Sequence, residues 1–236
     1  MNYKQLRMTG LNNVRKNWKL SIAAAAMVWF LAGIMNTFLP DLDVSYTREV
    51  AKPMYEWMDG LKYTISTSPN SHITIGPEFT ISLLHFILGG VVEMGYCVFL
   101  LKQHDGKEYQ FNDIFSMFDH FGTGFAQRFL RNLYTTLWSL LLIIPGIVAS
   151  LSYAMTPYIL AENPDLTASQ AISRSKEMMD GHKAELFMLH LTFLGWELLA
   201  ALTLNIGYLW LNPYKNAADA AFYRNIKQQE PYLLNE

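Results

Sequence analysis

Long apolar stretches alternate with polar ones along this chain, on a scale longer than an ordinary soluble helix requires. The longest apolar stretch runs from Arg128 to Pro164, RFLRNLYTTLWSLLLIIPGIVASLSYAMTPYILAENP, with no charged residue between Arg131 and Glu162. A membrane-crossing helix needs about 20 apolar residues. This stretch is too long for one straight helix and long enough for two short legs, 129–144 and 147–161, of about 24 Å each. Pro145 lacks the N–H that a continuous helix requires and Gly146 permits a turn, so the pair predicts the break. Pro157 is a candidate kink in the second leg.

Other apolar runs extend the pattern. Residues 20–39 form an uncharged run ended by Pro40, which reads as an anchor because FLPDLD offers no small-residue cleavage site. A second span covers 79–101 and a further apolar segment begins at 185, broken at Asn205-Ile206-Gly207 and followed by a helix to Ile226. The connections are polar. Residues 1–19 place Leu11, Val14 and Trp18 on one helical face beside several Lys and Arg, which predicts an interfacial helix with Trp18 at headgroup level. The 41–77 loop holds an amphipathic stretch, Glu49 to Leu61, and an irregular TSPNSHITIGP. Phe111, Ile114, Phe115, Phe118 and Phe121 predict a short interfacial helix. GTGFAQ, with Gly122 and Gly124, reads as a loop. Asp165 or Thr167 can cap a helix that buries Ala171, Ile172, Met178 and Met179.

Order repeats within the chain. MFDH at 117–120, Trp138, Gly146 and Pro157-Tyr158 recur as MMDG at 178–181, Trp196, Gly207 and Pro213-Tyr214, displaced by 56 to 61 residues. Internal repeats are common in membrane folds. The expected architecture is an all-α polytopic membrane protein, a single domain over 1–236. It has about six membrane helices: spans 20–39 and 79–101, then tandem hairpins 129–161 and 185–226, with 41–77 as an extracytoplasmic loop.

Composition agrees with this pattern. The chain has 236 residues, 51% hydrophobic and only 16% charged, where soluble domains carry about 25% charged residues. Mean hydropathy is only +0.11, because the polar connections dilute the spans. A net charge of −2 provides no basic surface for nucleic acid. The lone Cys97 allows no intrachain disulfide. In the six-segment topology one side receives fourteen of the 18 Lys and Arg residues, and the positive-inside rule then puts both termini in the cytoplasm. A four-span alternative, with 129–161 as one kinked helix, would leave Arg174, Lys176 and Lys183 outside.

The run SYAMTPYILAENPDLTASQAISRSKEMMDGHKAELF, then LGWELLAALTLNIGYLWLNPYKNAADAAFYRNI, together with the opening LRMTGLNNVRKNWKLSI, resembles an uncharacterised family of bacterial, mostly Gram-positive, integral membrane proteins. The resemblance implies a multi-span plasma-membrane protein. It implies no activity and no site residues.

Candidate chemistry lies in ionisable groups within the spans, because such groups are costly there and are usually paired or functional. Glu197 and Lys215 flank the Ile206 break by nine residues each, which predicts an ion pair about 13–14 Å below the turn. Glu93, Asp219 and His190 fall at about 20–24 Å depth and, with His85 on the Glu93 face, form a candidate polar layer. Arg128, Arg131, Arg174, Lys176 and Trp18 are candidates for lipid headgroup contact. No catalytic fingerprint and no local metal-ligand spacing occurs, so neither cofactor nor metal is expected. The expected role is non-enzymatic, binding membrane lipids and a membrane partner or further copies of the chain. The alternative is an oligomeric transporter or pore that uses the intramembrane carboxylates.

Overall fold

In the computed structural model of the chain, residues 2–32, 63–68, 71–75, 77–203 and 206–229 are described. The predicted amphipathic helix at 49–61 and the end of the 20–39 run lie outside them. Ten helices and one strand pair are found among the described residues: α1 (Tyr3–Lys16), α2 (Trp18–Ala32), β1 (Tyr63–Ser68), β2 (Ser71–Ile75), α3 (Pro77–His104), α4 (Phe121–Leu141), α5 (Ile143–Ser152), α6 (Thr156–Glu162), α7 (Ala168–Met178), α8 (Lys183–Leu191), α9 (Leu194–Leu202) and α10 (Tyr208–Gln229). Three stretches are long and apolar enough to cross a membrane: Leu84–His104, Ile143–Glu162 and Lys183–Leu202. Trp18–Val28 is a shorter apolar helix.

The organising element is α3. It packs against α2, α4, α6 and α10, and Val91, Val92, Met94 and Phe99 along it are fully buried. Small residues bring its neighbours close. A Cβ at Gly90 would lie 1.9 Å from the Gly124 carbonyl oxygen of α4, and one at Gly95 would lie 1.9 Å from the Ile114 carbonyl. Backbone thus meets backbone, the packing mode that small residues allow between membrane helices. Helix α3 stops at His104, two residues before Gly106, whose φ of +69° suits a residue without a Cβ.

Several sequence expectations are corrected here. Gly122 and Gly124 belong to α4 rather than a loop. The hairpin break falls at Leu142, in extended backbone, not at Pro145-Gly146. Pro145 sits in the first turn of α5, where a missing N–H costs no helix bond. Gly146 is needed for packing instead, since a Cβ there would lie 2.1 Å from Ser139 Oγ. Helix α5 ends before Tyr153–Met155, so the second leg is broken ahead of Pro157, which occupies the first turn of α6. The expected span from 185 is divided at Thr192-Phe193, where the Thr192 hydroxyl donates to the Leu189 carbonyl at 2.6 Å. The Phe-rich segment forms two 3₁₀ turns, Phe111–Phe115 and Phe118–His120. The segment read as irregular, 67–77, contains β2 and the end of β1, an antiparallel pair with Tyr63 opposite Ile75.

Helix α1 does not stand apart from the bundle. Its buried face, Leu6, Gly10, Asn13 and Val14, accompanies close packing on α10, with the Gly10 position 2.8 Å from the Ala218 backbone nitrogen when a Cβ is placed there. Helix α7 is capped by Thr167, whose hydroxyl accepts from the Gln170 N–H while the Gln170 side chain accepts from the Thr167 N–H.

Candidate functional site

The charged residues of the apolar segments meet as pairs between helices. In the middle of α3, Glu93 faces α4. Arg131 Nη2 donates to both Glu93 oxygens at 2.8 Å, and Arg128 Nη1 lies 3.8 Å from Oε2. All three side chains are largely buried, and the fully buried Gln127 amide lies beside the carboxylate. The contact is possible because Gly90 and Gly124 let α3 and α4 approach. Arg128 and Arg131, read from sequence as headgroup contacts, are therefore directed to a carboxylate inside the bundle.

The second pair joins α8 to α10, with His190 Nε2 2.9 Å from Asp219 Oδ1. The third joins α9 to α10, with Lys215 Nζ donating to Glu197 Oε1 at 2.5 Å. The candidate layer of Glu93, Asp219 and His190 thus divides into two pairs. Cys97, one turn beyond Glu93 on α3, is buried. Tyr96, next to it on α3, has its hydroxyl near Asn216 of α10. His85 is half-buried, eight residues before Glu93, and so about 12 Å away along the α3 axis. That rise removes it from the level of the layer.

A fourth cluster had not been singled out from the sequence. At one end of the bundle, Arg224 of α10 donates from Nε and Nη2 to Asp105 at 2.9 and 2.6 Å. Its Nη1 pairs with Glu162 Oε1. Lys227 Nζ and the Tyr223 hydroxyl both donate to Glu162 Oε2 at 2.6 Å. The signal was present, because Asp105, Glu162 and Arg224 each follow the end of an apolar run. Elsewhere, Arg7 of α1 donates from Nε to the Tyr214 hydroxyl at 3.2 Å and lies 5.3 Å from the Phe193 ring centroid. Buried Gln103 donates to the Ser21 hydroxyl at 2.8 Å, tying α3 to α2.

The remaining candidates are peripheral. Trp18 is exposed, with Lys19 Nζ 5.8 Å from its ring centroid. On α7, Lys176 is exposed and Arg174 half-buried. No group of three or more His, Cys, Asp and Glu residues suited to a metal ion is found among the described residues. The pairing satisfies charge locally, between two helices in the first three cases and among the end of α3, α6 and α10 in the fourth.

The outer surface has the opposite character. Leu137, Trp138, Leu140–Ile144, Ile147 and Val148 on the first hairpin are exposed, as are Leu194, Trp196, Leu198, Leu199, Leu202, Ile206 and Trp210 on the second. Soluble monomers rarely expose contiguous apolar patches larger than a few hundred Å².

Against known proteins, residues 140–230 match the model of one family, described as "Protein of unknown function (DUF975)". The matched stretch holds α5 to α10, hence the Glu197–Lys215 and His190–Asp219 pairs, but not Glu93 or Arg131. No curated protein and no solved structure matches the chain.

Proposed function

We propose that this chain is an integral membrane protein of about six membrane segments in a bacterial plasma membrane, with its carboxyl-terminal end cytoplasmic. Its role is non-enzymatic, holding lipid or a membrane partner against a helical scaffold. One observation carries the reading: exposed surfaces of both hairpins are apolar, while the charged side chains of the same segments are paired inward. A water-soluble bundle would be patterned the other way round. The concentration of Lys and Arg at the end holding Arg224 and Lys227 supports a cytoplasmic assignment for that end.

The internal repeat belongs to this proposal. Gly146 packs on Ser139 and Gly207 packs on Ala200, in each case across seven residues, and the two contacts are 61 residues apart. That common displacement supports reading the two hairpins as copies of one unit.

The test begins with alkaline carbonate extraction of membranes, from which the chain should not be released. Purified protein in liposomes should then add no proton flux above empty vesicles. Flux that is abolished by Glu93→Gln and Asp219→Asn, in variants that still fold, would establish the transporter alternative instead.

A further inference from the structure

We infer that the α3–α4 seam binds one small monovalent anion of about chloride size, held by Arg128 and Gln127 at the inner end of the Glu93–Arg131 pair. Surplus charge is costly in any packed interior, so the site stands whether or not the bundle spans a membrane, and it adds a ligand to the role proposed above.

Three observations carry it. The first is a charge count. Lys215 is matched by Glu197, and at the charged end Arg224 and Lys227 are matched by Asp105 and Glu162. The further cation at that end, Lys107, is 68% exposed and solvated. At the seam, two guanidinium groups share one carboxylate among the described residues. Arg131 Nη2, 2.8 Å from both oxygens, already neutralises Glu93. Arg128 Nη1 stands farther off, 3.8 Å from Oε2, so the surplus falls on its side of the carboxylate. One monovalent anion brings the cluster to neutrality, and a divalent one overshoots.

The second is Gln127. It is fully buried, and neither Nε2 nor Oε1 has a hydrogen-bond partner among the described residues, although the amide lies beside Glu93. A buried amide without partners costs stability, and in a native fold it is accounted for by an ordered water or an ion. Nε2 is a donor. Beside a cationic surplus, an anion answers both the donor and the charge.

The third is placement. Gly124, Gln127, Arg128 and Arg131 fall on one face of α4, turned toward α3. Arg128 is seated on Gly90, where an added Cβ would lie 3.1 Å from its own Cβ. Side-chain exposure falls from 18% at Glu93 and 14% at Arg131 to 8% at Arg128, and Gln127 is fully enclosed. The Glu93–Arg131 pair is therefore the mouth, and Arg128 with Gln127 the inner end. Phe86 meets Phe125 and Phe129 edge-on at 5.5 and 6.2 Å beside the seam, a low-dielectric wall that strengthens a charge-assisted contact. Backbones touch at Gly90 and Gly124, so a compact halide suits the seam better than a tetrahedral oxyanion or a lipid headgroup.

The test uses the full-length protein in detergent at fixed pH and ionic strength, with sodium gluconate exchanged stepwise for sodium chloride or bromide. Either halide should raise the thermal midpoint along a saturating curve, by about 3–6 °C at ten times its half-saturating concentration. Gln127→Leu removes the amide donor and keeps the charge count, so it should weaken half-saturation by about tenfold or more. Arg128→Met removes the surplus and should abolish the halide dependence. Bromide-soaked crystals of the unmodified chain should show an anomalous peak between Arg128 and Gln127, which decides the matter where a variant fails to fold. Equal midpoints in gluconate and halide overturn the inference, as does a bromide peak only at other positions. A halide response that both folded variants retain also overturns it, since the ion then sits elsewhere. A saturating response to phosphate at lower concentration than to halide does the same, and points to an oxyanion or a headgroup.

Discussion

Glu93 and Arg131 form the central ionic contact of the bundle: one guanidinium nitrogen, Nη2, lies 2.8 Å from both carboxylate oxygens, midway along α3. Breaking a buried pair by removing one partner leaves the other charge uncompensated. Glu93→Gln should therefore cost about 3–5 kcal/mol of stability, with Arg128 and Arg131 both left behind. Replacing Glu93, Arg128 and Arg131 together by apolar residues should cost much less. Chemical unfolding in detergent micelles checks both, and equal losses for the single and triple variants would refute the pairing.

The glycines of the central crossing are expected to differ sharply. Gly90→Ala brings a Cβ within 1.9 Å of a backbone oxygen, so helices must separate, at a cost of about 1–3 kcal/mol. Gly124→Ala should behave alike, because its Cβ would lie 2.8 Å from Val91 Cα. Gly122 is in the same helix with nothing within 4 Å, and Gly122→Ala should be neutral or stabilising by roughly 0.5–1 kcal/mol. Thermal midpoints of the three variants, measured side by side, decide this.

Glu197 and Lys215 should be energetically coupled across α9 and α10. A double-mutant cycle of Glu197→Leu and Lys215→Met should return about 0.5–3 kcal/mol of interaction, the double variant being better than the sum of the singles. A coupling near zero would mean that the 2.5 Å contact contributes nothing to holding this hairpin closed.

At the charged end, Tyr223→Phe removes one hydrogen bond and should cost about 1 kcal/mol. Arg224→Ala releases two carboxylates, Asp105 and Glu162, and should cost more. It should also raise amide hydrogen exchange around 102–108 and 159–165, which Tyr223→Phe should not do. Exchange rates resolved by peptide show whether that end acts as a clamp for α3, α6 and α10.

The apolar extents and the Glu197–Lys215 spacing could be read in one dimension. Two groups equidistant from a turn reach the same depth whatever the helices do in detail, because rise per residue is constant. The same arithmetic grouped Glu93, Asp219 and His190 at one depth. It could not say which helices were neighbours. Arg128 and Arg131 begin a long apolar run, where snorkelling to headgroups is the local expectation. Only the α3–α4 crossing turns them toward Glu93.

Glycine taught the same lesson. Gly122 and Gly124 look alike in sequence, yet one is open and the other touches the α3 backbone. Gly146 sits beside a proline and invites a turn, but its function is close packing on Ser139, with the break displaced to Leu142. Local propensity therefore determined where the chain is apolar and where helices can be interrupted. Tertiary structure decided which interruption is used, which charge meets which, and that α3 rather than the long 128–164 stretch is the central element. The physical reason is that hydrophobicity and helical rise act along the chain, whereas ion pairing and small-residue packing depend on neighbours distant in sequence.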